Sequence, residues 1–235
     1  MVLVLAGCGT MDPEKNPINP ANGFWDKFFI YPLSTLMDWF AELLWNQYGL
    51  SILIVTILIR FLVLPLTLKQ YRSSKKMQLI QPDMKKIKEK YKDDPKKQQE
   101  ETMKLFQQNG VNPLAGCLPL LVQMPVLIAL YHAIMRNGEI HHHEFLWMQL
   151  GTPDPLYILP TIAALTTFLQ QKMMSSQMPS QMQALLFIFP VMIFVMSMNF
   201  ASALPLYWIY SNLFTIVQSY FLYGRSSNNK GGQLK

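Results

Sequence analysis

Arg60 lies near the middle of an apolar run from Tyr48 to Leu68 (YGLSILIVTILIRFLVLPLTL), a stretch long enough to cross a bilayer. A guanidinium keeps its proton. At the bilayer centre that charge costs from about 3 kcal/mol on insertion scales to more than ~10 kcal/mol in simulations of isolated helices. Such a residue faces water or protein, not lipid. Apolar residues on both sides leave little scope for snorkelling, which favours a water-filled cavity over a polar partner or the interface. A fixed positive charge in a partly dehydrated cavity attracts carboxylates and other anions. Gln123 sits in the apolar run 114–135, and Trp208 and Asn212 sit in the run 203–223. Each alone reads as a helix–helix hydrogen-bonding group. Together with Arg60 they read as the wall of a hydrated groove.

Other chemistry is poorly represented. His141-His142-His143-Glu144 is a metal-like cluster. Consecutive histidines rarely present all their nitrogens to one ion, and the spacing is not His-Glu-x-x-His. It reads as a solvated outer loop with incidental metal affinity, and no metal or cofactor is expected. The sequence has no P-loop, no Gly-rich dinucleotide fingerprint and no Gly-x-Ser-x-Gly elbow. No catalytic residues are assigned, and any work must be driven by substrate partitioning or the membrane potential.

Half of the chain is apolar (51%) and only 14% is charged, with several runs near the length of a membrane span. This composition predicts an all-α membrane protein, not a soluble domain. The net charge of +6 does not point to nucleic acid, because twelve of the twenty Lys and Arg lie between Lys69 and Lys104. That clustering is a topology signal.

Residues 1–23 form a leader remnant and a Pro/Asn-rich linker. Residues 24–47 read as an amphipathic helix, with Leu36, Met37, Phe40, Leu43 and Leu44 on one side and Ser34, Asp38 and Glu42 on the other. Trp25, Trp39 and Trp45 suit an interfacial depth. A short helix packed on the membrane domain is the alternative. Residues 48–68 are the first of five expected spans, and 114–223 hold the other four: Leu114–Met135, Leu156–Gln171, Ala184–Met198 and Ala203–Tyr223. Between them, residues 69–113 carry Met77, Ile80, Met84, Ile87 and Tyr91 at coiled-coil spacing. Asp93-Asp94-Pro95 breaks that helix, and Asn109-Gly110 ends a second one. The result is an antiparallel helical hairpin, whose basic face could be solvated, touch anionic headgroups or meet the ribosome. Residues 224–235 form a basic tail.

Lysine asymmetry sets the orientation. The hairpin and tail are basic, while Asp12, Glu14, Asp26, Asp38 and Glu42 precede the first span and Glu139, Glu144 and Asp154 follow the second. The positive-inside rule places the N-terminus outside and the hairpin and C-terminus in the cytoplasm. Leu5-Ala6-Gly7-Cys8 resembles a lipobox, which would make Cys8 a lipidated anchor outside the cytoplasmic membrane. The basic n-region of such signals does not precede it, so a chance match stays open. Cys117 reads as a small apolar filler.

Several stretches together resemble one known family over nearly the whole chain. They are Leu58-Ile59-Arg60-Phe61 with Pro65-Leu66, Gln70-Tyr71-Arg72-Ser73-Ser74-Lys75-Lys76-Met77-Gln78, and Gly110-Val111-Asn112-Pro113-Leu114-Ala115-Gly116-Cys117-Leu118-Pro119. The resemblance extends through Gln123-Met124-Pro125 and Leu206-Tyr207-Trp208. The pattern is similar to that of the YidC/Oxa/Alb membrane protein insertases, in the lipoprotein-type YidC form of Gram-positive bacteria. The resemblance implies five transmembrane helices around a hydrophilic groove, open to the cytoplasm and lipid and closed outside. It carries the groove residues over to Arg60, Gln123 and Trp208. It also implies insertion of small nascent membrane proteins with short acidic N-terminal tails, alone or with a Sec translocon and ribosome. The large periplasmic domain of Gram-negative members is missing. Read from the residues alone, a small anion transporter or channel is the alternative.

Overall fold

A computed structural model describes residues 13–14, 16–111, 118–174 and 185–227. The helical content follows the expected all-α pattern, interrupted by one pair of two-residue strands. Cys8, Cys117 and the last eight residues lie outside the described residues.

A helix beginning at Phe24 passes through a π-helical turn, Asp26–Ile30, and continues as α1, Tyr31–Leu43. Helix α2 follows as Tyr48–Leu62. The run expected to form one span, Tyr48–Leu68, is broken here: α3, Leu64–Lys90, starts after Val63 and is bent by 56° from α2. Pro65 explains the break, because it has no N–H to donate and its ring crowds the preceding turn. The hairpin arm therefore starts inside the apolar run, ahead of the expected boundary at Lys69. Helix α4 is Pro95–Gln108.

The remaining helices are α5 (Leu118–Met135), the short α6 (Gly138–His142), α7 (Ile158–Met174), α8 (Leu185–Ser197) and α9 (Ala203–Ser227). Four residues expected in the basic tail thus continue α9. Between α6 and α7, β1 (Glu144–Phe145) pairs antiparallel with β2 (Met148–Gln149), with Phe145 opposite Met148.

Helices α2, α5, α7, α8 and α9 form the bundle, and α1 packs across α2 and α5. Its core gathers Ile52, Val55, Leu130, Ile134, Ile140, Leu150, Ala163, Ile193 and Tyr207. Gly49 admits the Phe145 ring where any Cβ would stand, seating the β-hairpin on the start of α2. On the polar side of α1, Ser34 and Asp38 are bonded within the protein, while Glu42 is exposed. Asn137 donates to the Ser34 hydroxyl at 2.9 Å and to Asp38 at 2.8 Å, and the Tyr48 hydroxyl donates to Asp38 at 3.1 Å. Trp39, Leu43 and Trp45 are among the exposed residues of this segment, with Phe24, Phe28 and Tyr31.

Helices α3 and α4 pack as a separate hairpin. Met77 and Ile80 are buried against Phe106 and Val111, with Met84 and Leu105 alongside. The first part of the expected seam, Met77, Ile80 and Met84, forms this core, which does not extend to Ile87 and Tyr91. Asp94 caps α4 by accepting from the Lys97 backbone N–H at 3.0 Å.

No single described helix is long and apolar enough to cross a membrane, whereas α2 and α3 pass as a bent pair. The bundle nevertheless exposes Leu58, Leu165, Leu169, Phe187, Ile188, Val191, Val195, Leu213 and Val217. An apolar exterior of this extent marks a contact with lipid or protein, not a water-facing surface.

Candidate intramembrane polar site

Arg60 stands about twelve residues into α2, roughly 18 Å along the axis at 1.5 Å per residue. Its Nη2 donates to the hydroxyl of Ser211 on α9. One turn earlier on α9, the Tyr207 hydroxyl accepts from the Gln123 amide of α5 at 2.5 Å. Residues four apart share a helix face. Tyr207 and Ser211 therefore form one polar stripe, to which α5 and α2 each bring a side chain. Both α9 residues are buried.

Arg60 and Gln123 are thus brought to one helix face through partners that the sequence did not single out. Trp208 lies one residue along from Tyr207, turned by about 100° on a 3.6-residue helix. It is half-buried against the main core. Asn212 shares that second face and donates to Thr167 of α7 at 2.9 Å and to Thr166 at 3.2 Å. The Asn212 pair is the kind of helix–helix bond expected of lone polar groups in apolar runs.

No carboxylate among the described residues forms an ion pair with Arg60. Its direct partner is a neutral hydroxyl, so among the described residues no group neutralises this fixed positive charge.

Arg136 gives the contrast. It sits just past α5, only 5% exposed, and holds Asp26 in a fork: Nη1 to Oδ1 at 2.9 Å and Nη2 to Oδ2 at 2.6 Å. Its Nε donates to the Asn16 carbonyl at 2.9 Å and its Nη2 to the Pro17 carbonyl at 3.0 Å. The guanidinium holds the Asp26 carboxyl below the usual carboxylate range. Sequence reading missed this pair. A signal existed, because Arg136 ends an apolar run and is the single Lys or Arg of the segment 136–155, which otherwise carries Glu139, Glu144 and Asp154.

The histidine cluster is a folded turn more than a free loop. The Asn137 side chain caps α6 by accepting from the Ile140 N–H at 3.1 Å, His143 packs edge-on to Tyr48, and His142 is exposed. Burial lowers the affinity of the His143 imidazole for a proton. Among the described residues no group of three or more His, Cys, Asp or Glu is arranged to hold a metal ion.

These features define a helical bundle with an apolar exterior and a buried arginine, without an ion-pair partner among the described residues, between its helices. The family model described as 60Kd inner membrane protein matches residues 39–229. The chain is 53% identical over 230 residues to membrane protein insertase MisCA of Bacillus subtilis (strain 168), covering 94% of this chain and 87% of the relative. It is 48% identical to membrane protein insertase YidC 2 of Bacillus anthracis, covering 100% of this chain and 95% of that protein. Against membrane protein insertase YidC 2 of Listeria innocua the identity is 47%, with 98% and 82% covered. The chain belongs to the 60Kd inner membrane protein family, also known as YidC/Oxa, as its motifs suggest.

Proposed function

We propose that this protein is a membrane protein insertase and chaperone. It takes small membrane proteins with short acidic N-terminal tails from the cytoplasmic side, alone or with the Sec translocon, and moves each tail through a hydrophilic groove. Arg60, Gln123 and Trp208 line the groove. The observation that carries this reading is Arg60 itself, whose positive charge is held between α2 and α9 by a hydroxyl and not by an acid. A charge left uncompensated in an apolar bundle is costly unless water or a transient anion meets it. The carboxylates of a substrate tail are that anion, and Arg60 lowers the barrier to their passage without altering the final equilibrium. The hydrophobic segment meanwhile leaves between helices into lipid, and burying roughly 20 apolar residues supplies the driving force. A membrane potential positive outside favours the acidic tail by about 2.3 kcal/mol per charge per 100 mV.

The outer end of the bundle supports passage from the opposite side. Asp26 with Arg136, Asn137 with Ser34 and Asp38, and Asp154 with the start of α7 are all bonded within the protein. That closure also argues against an open anion channel. The basic hairpin is the first contact for the arriving chain, with the ribosome or anionic lipid as its neighbour. A lipid on Cys8 adds a second hold on the membrane.

The test is a double substitution cycle in proteoliposomes, scored by protease protection of the substrate tail. Arg60→Ala should fold and embed normally, because removing a buried charge relieves desolvation. It should lose most insertion of tails carrying Asp or Glu and little insertion of neutralised tails. Arg60→Lys should retain much of the activity. Equal losses for acidic and neutral tails would reject charge attraction. Anion flux without tail protection would reject the insertase reading itself.

A further inference from the structure

Three large side chains at the outer end occupy the left-handed backbone region that favours glycine: Trp45 (φ 53°), Leu146 (φ 58°) and Tyr157 (φ 56°). For a bulky side chain this conformation is strained, because its Cβ crowds the neighbouring carbonyl. In the interior, packing could offset that strain. Here the side chains point outward instead, with Trp45 84%, Leu146 71% and Tyr157 51% exposed. Leu146 and Trp147 are the two-residue loop between β1 and β2, a position where Asn-Gly or Gly-containing pairs are favoured. A tip in water gains nothing from leucine there.

The exposed residues belong to one assembly. Asp154 Oδ1 accepts from the Trp147 indole N–H at 3.0 Å and from the Leu156 backbone N–H at 3.1 Å, while its Oδ2 accepts from the Leu159 N–H at 2.7 Å. One buried carboxylate therefore ties the hairpin tip to the Leu156–Tyr157 turn and to the start of α7. Phe145, beside the tip, rests on Gly49, four residues beyond Trp45. The apolar surface then continues down α7 through Ile158, Ile162, Leu165 and Leu169, spaced along one face.

We propose that Leu146, Trp147, Leu156 and Tyr157, with Trp45 beside them, form a collar inserted into the outer-leaflet interface. Its occupant is the boundary between headgroups and acyl chains. Two observations select lipid. The collar is continuous with the apolar face of α7, and its composition (tryptophan, tyrosine and leucine) is that of membrane interfaces. The strained backbone holds the side chains outward from rigid turns, so the collar sets how deep the bundle sits. This rests on the membrane placement proposed above and not on the insertase activity.

The test is spin-label accessibility in liposomes of phosphatidylethanolamine and phosphatidylglycerol. The full chain carries Cys8→Ser and Cys117→Ser, plus one of Leu146→Cys, Tyr157→Cys, Leu165→Cys or Lys92→Cys. Labels at 146 and 157 should collide with oxygen severalfold more, relative to a water-soluble nickel chelate, than the label at 92. They should lie shallower than the label at 165. If 146 and 157 match 92 while 165 remains lipid-exposed, the collar is rejected and the membrane placement stands. If 165 is also nickel-accessible, the placement fails and the collar with it. Shielding of 146 and 157 from both reagents would identify a protein partner instead, and would also overturn the lipid assignment.

Discussion

Arg136 and Arg60 are satisfied in opposite ways. Arg136 makes a two-pronged bond to Asp26 and two more to backbone carbonyls, which consumes nearly all its donors. Among the described residues Arg60 is held by one hydroxyl. The first is architecture and the second is left available. Removing one partner of a buried pair strands the other, so Arg136→Ala should cost about 3–5 kcal/mol, read as a lower melting temperature in detergent. Asp26→Leu with Arg136→Met should cost much less, because nothing charged is stranded. The pH dependence has a definite sign. The Asp26 carboxyl has its proton affinity lowered in the folded protein, so the unfolded state binds the proton more readily. Its stabilising contribution is present above the ordinary aspartate pKa of about 3.9 and is lost as pH falls below it toward the folded value. A melting series from pH 6 to pH 3 should show that loss in the wild type and a shallower one in the double variant. Arg60 was legible because a charge amid apolar residues contradicts its surroundings. Tyr207 and Ser211 were not, since a hydroxyl in an apolar helix looks the same whether it faces a neighbour's backbone or a buried arginine.

Elements were legible where local chemistry decides them. The hairpin follows from Met77, Ile80 and Met84 at seam spacing, and its second helix ends where Asn109-Gly110 predicts. The termination has both bonds of a Schellman motif: Val111 N–H to the Phe106 carbonyl at 2.9 Å, and Gly110 N–H to the Gln107 carbonyl at 3.2 Å. Gly110 takes φ 58°, and Phe106 and Val111 supply the hydrophobic contact that closes the motif. A Cβ on Gly110 would meet no atom, so Gly110→Ala tests conformation alone. It should cost about 1 kcal/mol, seen as roughly fivefold faster hydrogen exchange in α4 with the bundle unchanged. The bend at Val63 was harder to read. Hydropathy carries straight through Tyr48–Leu68, while one imino acid at position 65 ends the hydrogen-bond ladder. The partners of the polar face of α1 were hidden for a related reason. Ser34 and Asp38 look solvent-facing until Asn137, about a hundred residues away, supplies their partner.

At the scale of the molecule, polar satisfaction and charge run in opposite directions along the bundle. One end of the bundle is bonded within itself by Asp26–Arg136, by Asn137 and by Asp154, and the Ser202 hydroxyl joins it by donating to the Thr152 carbonyl at 2.7 Å. The opposite end carries the hairpin, which holds most of the chain's lysines and packs on its own small core. On the proposed route, a substrate tail entering beside the hairpin would meet Arg60 before it met that bonded end. This order depends on which end faces the cytoplasm, and the lysines give the prediction. A cysteine replacing exposed Lys92 should stay unlabelled by a membrane-impermeant maleimide in intact cells and react once they are permeabilised. A cysteine replacing exposed Glu144, in β1, should react in intact cells. The two positions lie at opposite ends of the bundle, so each controls for the reactivity of the other. The reverse pattern would place the hairpin outside and put the bonded end toward the arriving chain. Arg60 could not then receive a tail from the cytoplasm, and the proposed route would be rejected even with every bond in the bundle as described.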